Sequence, residues 1–205
     1  FFIMTYSLII PVYNEQNILP LLINKLKTLD KKIEIIIIND GSNDNTSNIL
    51  KENNSFIIVE NKTNKGKGAS VIKGLRFAMN KNIILIDGDL EIDIDQIPRL
   101  INEYEKNKIK VLSGKRWNKD EGLNFEINRI GNYLINNLFN LLYKTNLNDV
   151  LCCVKIIDKN LLKSLNLKSM GFSIEIETIS KLIMRDINID EIYVNYKRRT
   201  IQQGK

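Results

Sequence analysis

The chain has 205 residues, 43% of them hydrophobic, enough to build one domain around a substantial core. It contains no histidine, which excludes the commonest general base and zinc ligand, and its two cysteines, adjacent at Cys152 and Cys153, form neither a disulfide framework nor a metal-ligand spacing. A net charge of +6 suits phosphates or an anionic membrane face, while no apolar run approaches the roughly 20 residues that span a bilayer.

Taken in chain order, Ser7–Ile10 predicts a strand and Glu15–Leu29 a helix with apolar residues at helical spacing. Ile33–Ile38, almost continuous in isoleucine, predicts a strand buried on both faces. A helix over Asn43–Glu52, a strand over Phe56–Val59, a helix over Ala69–Met79 and a strand over Ile83–Ile86 follow. This βαβαβαβ series predicts an α/β fold with a doubly wound, mostly parallel sheet flanked by helices. Beyond it come a helix over Gln96–Lys106, a strand over Lys110–Ser113 and a polar, mobile loop over Arg116–Asn124. Phe125–Tyr143 reads as a core helix, although its apolar residues spread around much of the surface between asparagines, as in a helix lying on a lipid interface. A helix over Ile174–Arg185 and a strand over Ile189–Tyr196 close the chain. No repeat, linker or second core interrupts residues 1–205, which therefore read as a single domain. The cysteines read as small buried residues in a reduced, cytosolic setting.

In such sheets ligands sit beyond the carboxyl ends of the strands, so the residues that follow each strand carry the information. Asp87-Gly88-Asp89-Leu90-Glu91 follows the fourth strand. If it is extended, Asp87, Asp89 and Glu91 face one way and form a hard oxygen site for Mg²⁺ or Mn²⁺, completed by diphosphate oxygens. Asp93 and Asp95 are then free to cap the next helix. After the second strand, Asp40 is placed to accept hydrogen bonds from a nucleotide, and Ser42, Asn43 or Asp44 to start a helix. Lys65-Gly66-Lys67-Gly68 opens the third helix, where backbone N–H groups can approach a phosphate, although neither a P-loop nor a dinucleotide fingerprint is present. Aromatic residues are not interleaved with a basic stripe, so a nucleic-acid partner is not expected.

These pieces, in this order, resemble the family 2 glycosyltransferases: Leu8–Glu15 matches that family's first strand and donor turn, Asn39-Asp40-Gly41-Ser42 its second, and Asp87-Gly88-Asp89 its DxD element. The resemblance implies a GT-A fold, a nucleotide-diphosphate sugar donor and inverting transfer. It implies donor contacts from Pro11, Tyr13, Glu15, Asp40, Lys67, Asp87, Gly88 and Asp89. The later segments resemble the branch that makes polyprenyl-phosphate sugars, such as dolichyl-phosphate mannose and glucose synthases. Its DADLQ, GSR and D-x-Q-C-G-x-K stretches correspond to Asp87–Glu91, Gly114–Arg116 and Asp149–Lys155, and Arg129 falls near a second arginine of the branch. Its closing pattern corresponds to Gly171, Phe172, Glu175, Glu177, Tyr196, Arg199 and Lys205.

The implied reaction moves one hexose, from UDP-glucose or GDP-mannose, onto a polyprenyl or dolichyl phosphate at the cytoplasmic face of a membrane. Residues 5–115 would then bind the donor and 116–205 the acceptor. A phosphate acceptor needs positioning more than deprotonation, which suits a chain without histidine. Arg116 and Arg129, with Arg199 assisting, would clamp that phosphate. Asp149 is either a base for a hydroxyl acceptor or the partner that orients an arginine. Transfer to a glycan, protein or other lipid hydroxyl, and a non-catalytic nucleotide-sugar-binding module, are the alternatives.

Overall fold

A computed structural model describes residues 5–117 and 127–199, excluding the side chains of 127–129. Arg129's side chain, Lys205 and most of the loop expected over Arg116–Asn124 lie outside the described residues.

The strands among the described residues are β1 (Tyr6–Val12), β2 (Ile33–Asn39), β3 (Ile57–Glu60), β4 (Asn82–Leu85), β5 (Val111–Lys115), β6 (Lys155–Asp158) and β7 (Asp190–Tyr193). They form one sheet in the order β3-β2-β1-β4-β6-β5-β7. β1 pairs in parallel with β2 and β4, β2 with β3, and β5 with β7, while β6 runs antiparallel between β4 and β5. The isoleucine run is the reason β2 sits deep in the sheet. Ile36, Ile37 and Ile38 are fully buried, and each contributes about 2–3 kcal/mol of apolar burial. Alternate residues feed opposite cores. Leu8, Ile10 and Ile37 pack with Leu22 and Leu26 of α1 (Leu19–Thr28) and Leu100 of α4 (Ile97–Lys106). Ile9, Ile36 and Ile38 pack with Val71 and Leu75 of α3 (Lys67–Phe77) and Ile174 and Leu182 of α7 (Ile174–Ile183).

Several boundaries differ from the sequence expectation for local reasons. The helix expected from Glu15 starts at Leu19, which puts Pro20 in the first turn, where no intrahelical N–H is required. The helix expected from Asn43 is α2 (Thr46–Lys51), because Asp44 accepts from the amides of Gln16 and Thr46 and pins residues 43–45 in a turn. β6 and α6 (Lys159–Ser164) were not expected. β6 is short and carries a lysine, and α6 is announced only by Asp158, whose carboxylate accepts from the amides of Asn160 and Leu161. Asp93 does act as a cap, accepting from the Asp95 amide at the start of a single 3-10 turn over Ile94–Gln96.

α5 (Ile127–Tyr143) corrects the expectation of a core helix. Among its described side chains only Asn136 and Phe139 are buried, while Tyr133, Leu134, Leu138, Leu141 and Leu142 are exposed. The inward asparagines hold the loop that follows. Asn136 donates to Leu147 O at 2.8 Å and accepts from Val150 N at 3.0 Å, and Asn140 donates to Leu147 O at 2.7 Å and accepts from Leu147 N at 3.0 Å.

Candidate active site

The parallel strands β1 to β4 all end at one edge, and the segments leaving them line a cleft of about 270 Å³. Pro11, Tyr13 and Glu15 come from the end of β1, Asp40 from β2, Lys67 from the start of α3, and Asp87, Gly88 and Asp89 from the end of β4. All eight residues that the resemblance implied for the donor therefore share one cavity, together with Arg199. Val12, Asn64, Gly66 and Phe172 complete the lining. Phe172 and Arg199 bring the second half of the chain into the wall.

The Asp87–Glu91 segment is not extended. It turns immediately after β4, and Leu90 adopts a left-handed φ of 56°. Gly88 makes that turn possible, since a Cβ there would lie 2.5 Å from Cγ1 of Val12. Asp89 Oδ1 accepts from the Glu91 amide at 3.0 Å, whereas Glu91 turns to the C-terminal segment and accepts from the Arg199 amide at 3.1 Å. Burial and Glu91 together push the Tyr196 hydroxyl up to about 12. The three-carboxylate metal group expected from strand alternation is thus not assembled, and no group of three or more such ligands is positioned for a metal among the described residues. Of the three, Asp87 and Asp89 remain on the cleft. Burial, followed by the charge of Asp87, raises the Asp89 carboxyl to about 6. Two hard oxygen donors side by side on the cleft suit Mg²⁺ or Mn²⁺, with diphosphate or water completing the shell.

Lys67 faces this pair. Its Nζ lies 2.7 and 2.9 Å from the two Asp87 carboxylate oxygens and 2.7 Å from Glu175 Oε1, and the ring of Phe172 lies beyond, 5.7 Å away. Burial alone would lower its ammonium, but Asp87 and Glu175 outweigh that and hold it well above the ordinary lysine range. The other Glu175 oxygen pairs with Lys155, which is fully buried and also donates to Cys152 O at 2.6 Å. Burial would raise the Glu175 carboxyl, yet Lys155 and Lys67 bring it below the ordinary range. Glu175 and Lys155 were named only through the resemblance, without a role. The usable signal was a lone lysine inside the apolar Val154–Ile157 run, which cannot be buried without an acidic partner.

The glycines at the start of α3 correct another expectation. A Cβ on Gly68 would lie 2.0 Å from Ser169 O and one on Gly66 2.4 Å from Met170 O, while the Ala69 amide donates to Met170 O at 3.0 Å. They admit the 169–171 backbone rather than a phosphate. Asp40 is likewise engaged. Its carboxylate accepts from Asn61 Nδ2 at 2.7 Å, Lys65 N at 3.0 Å and Gly66 N at 2.8 Å, which shapes the loop leading to Lys67.

Arg116 and Asp149 form a separate cluster outside the cleft. Arg116 Nε and Nη2 donate to the Asp149 carboxylate at 2.8 and 2.9 Å, and the Arg116 amide donates at 3.0 Å. The guanidinium lies 4.4 Å from the ring of Trp117 and 5.3 Å from that of Tyr196. Of the two roles left open for Asp149, this geometry is that of a partner orienting an arginine.

A mostly parallel sheet with a carboxylate-lined cleft beyond β1–β4 defines a GT-A type nucleotide-diphosphate-sugar transferase fold. The chain belongs to glycosyl transferase family 2, whose model matches residues 7–165. It is 31% identical over 201 residues to an uncharacterized Methanocaldococcus jannaschii protein, covering 91% of this chain and 86% of that one. It is 28% identical over 170 residues to dodecaprenyl-phosphate galacturonate synthase of Rhizobium johnstonii and 35% identical over 126 residues to undecaprenyl-phosphate 4-deoxy-4-formamido-L-arabinose transferase of Pectobacterium atrosepticum. These matches cover 78% and 57% of this chain but only 50% and 38% of the two relatives. Among solved structures, glucosyl-3-phosphoglycerate synthase of Mycobacterium tuberculosis, crystallised with Mn²⁺, UDP and glucosyl-3-phosphoglycerate, superposes with a TM-score of 0.73 at 17% identity, over 97% of this chain and 74% of that one. That likeness establishes the fold. No helix among the described residues is long and apolar enough to cross a membrane.

Proposed function

We propose that this chain is a metal-dependent glycosyltransferase that moves one sugar, with inversion, from a nucleotide-diphosphate donor to a polyprenyl phosphate. The observation that carries the reading is the cleft that gathers Asp87, Asp89, Lys67 and Arg199 beyond the parallel strands. Asp87 and Asp89 would hold Mg²⁺ or Mn²⁺, which when bound neutralises the leaving diphosphate. Lys67 and Arg199 offer cationic donors to the same diphosphate, and Pro11, Tyr13 and Asp40 wall the nucleotide side.

The acceptor assignment rests on the two relatives named for polyprenyl phosphates and on the engagement of Asp149. A carboxylate already accepting three hydrogen bonds from Arg116 is a poor base for a hydroxyl, and a phosphate monoester needs none. UDP-glucose and GDP-mannose remain the donors to try first, and the relatives' names add uronic and amino sugars to the panel.

α5 supplies a surface for the lipid. From Ile130 to Tyr143 it carries no charged residue, in a chain that is 26% charged, and its outer face exposes Tyr133, Leu134, Leu138, Leu141 and Leu142. Such a face would rest on the membrane, giving peripheral attachment. Calorimetric titration of UDP and GDP with Mn²⁺ tests the donor side. Metal-dependent binding of one nucleotide is expected, and binding of neither, with or without metal, would refute the reading.

A further inference from the structure

Behind Lys67 and Asp87, which line the cleft, lies a pair that the reaction does not itself require, Lys155 with Glu175, and the four form one chain of alternating charges. The pairing of Lys155 with Glu175 is inaccessible to solvent on the lysine side, and neither residue lines the cleft. Glu175 divides its two oxygens, one to Lys155 and one to Lys67 at 2.7 Å, and Lys67 in turn divides its ammonium between Glu175 and Asp87, 2.7 Å from each. The link spans the molecule. Lys155 stands on β6, Glu175 in the first turn of α7, Lys67 in the first turn of α3, and Asp87 beyond β4. Two residues further along α7, Glu177 accepts from the amides of Lys168 and Ser169, clasping the loop whose carbonyls pack on Gly66 and Gly68. The same turn of α7 therefore fixes both the ammonium and the backbone at the start of α3.

We propose that Glu175 is a positioning residue that sets the divalent-cation affinity of the Asp87–Asp89 turn, acting through Lys67 and held in place by Lys155. The proposal rests on the reading of that turn as the site of the metal and diphosphate. Lys67 neutralises Asp87 to the extent that Glu175 does not hold it. Removing the charge of Glu175 leaves Lys67 wholly to Asp87 and weakens cation binding. Removing Lys155 leaves Glu175 wholly to Lys67, draws the ammonium away from Asp87 and strengthens cation binding. Removing both again leaves Lys67 wholly to Asp87, so cation binding weakens as it does without Glu175 alone.

The test is Mn²⁺ affinity in the presence of UDP, read from the free-ion electron paramagnetic resonance signal, beside thermal unfolding of each variant. Glu175→Gln is expected to raise the Mn²⁺ Kd about tenfold, as expected for one unit charge lost near a divalent ion. Lys155→Met is expected to lower it severalfold, although both variants are less stable than the parent. Lys155→Met/Glu175→Gln removes the buried pair whole, which folds tolerate better than a broken pair, and its Kd should be raised about as far as that of Glu175→Gln, about tenfold, at a stability nearer the parent's. If both single variants weaken Mn²⁺ binding in step with their loss of stability, or the double variant binds Mn²⁺ as tightly as the parent, the pair is only structural and the proposal is overturned. Should a single variant fail to fold, the double variant decides: a Kd raised about tenfold supports the proposal and a parental Kd overturns it. Failure of the parent itself to bind Mn²⁺ with UDP would overturn the metal-site reading, and this proposal with it, a result distinct from any pattern among the variants.

Discussion

Glu15 and Arg199, 184 positions apart, meet in two parallel hydrogen bonds of 2.6 and 2.9 Å at the rim of the cleft. The pair ties the loop after β1 to the segment after β7, and it holds the guanidinium 3.9 Å from Asp89. Burial raises the Glu15 carboxyl even though Arg199 acts to lower it. Glu15→Gln keeps the shape and removes the fork's charged half, so the nucleotide Kd should rise about tenfold while the melting temperature moves little, in line with about 1–2 kcal/mol for a charge-assisted contact. Calorimetry on the two proteins checks this, and an unchanged Kd would count against a donor role for the pair.

Asp89 is held in a folded state that disfavours its own charge. Its carboxyl is raised from the usual value near 3.8 to about 6, so it favours the fold fully below the lower value, and that contribution is lost as pH rises through the upper one. Asp89→Asn should therefore stabilise the protein at pH 7 by about 1–2 kcal/mol, a few degrees in Tm, with no gain below pH 4. The same change should abolish metal-dependent transfer. A variant less stable at pH 7 would contradict the raised carboxyl.

The Arg116–Asp149 pair is buried, with Asp149 only 3% exposed. Asp149→Asn leaves a guanidinium without its counter-charge and should cost about 3–5 kcal/mol in urea unfolding. A loss of kcat with the unfolding midpoint unchanged would instead mark Asp149 as a base.

On the outer face of α5, Leu138→Asp/Leu141→Asp alters side chains 57% and 76% exposed. Stability should change by less than about 0.5 kcal/mol per site. Cosedimentation with anionic vesicles should fall sharply, and full retention would remove the lipid-facing role of this helix.

Much of the donor cleft was legible because long apolar strands announce themselves, and in an α/β sheet the ligand-binding residues follow directly after them. That logic located Asp40 and Asp87 without any contact being known, while Tyr13 came only with the family resemblance. It failed where a turn replaced an extended segment: Leu90 in the left-handed region separates Glu91 from Asp87 and Asp89, and nothing in its side chain signals that conformation. It also failed where partners are distant in sequence. Lys155 sits inside an apolar run and Glu175 between two isoleucines, 20 positions apart, and their pairing depends on β6 running antiparallel between β4 and β5. The glycines of the Lys65–Gly68 stretch pointed to a phosphate, whereas what approaches them is the backbone of Ser169 and Met170, supplied about a hundred residues later.

The most direct test is transfer of labelled sugar from a panel of UDP- and GDP-sugars to polyprenyl phosphate, with Mn²⁺ or with chelator, by the parent and by Asp89→Asn. The account predicts an organic-soluble labelled product from one donor, formed with Mn²⁺, lost with chelator and absent with Asp89→Asn. Product formation undiminished by chelator or by the substitution, or label passing only to hydroxyl acceptors, would contradict it.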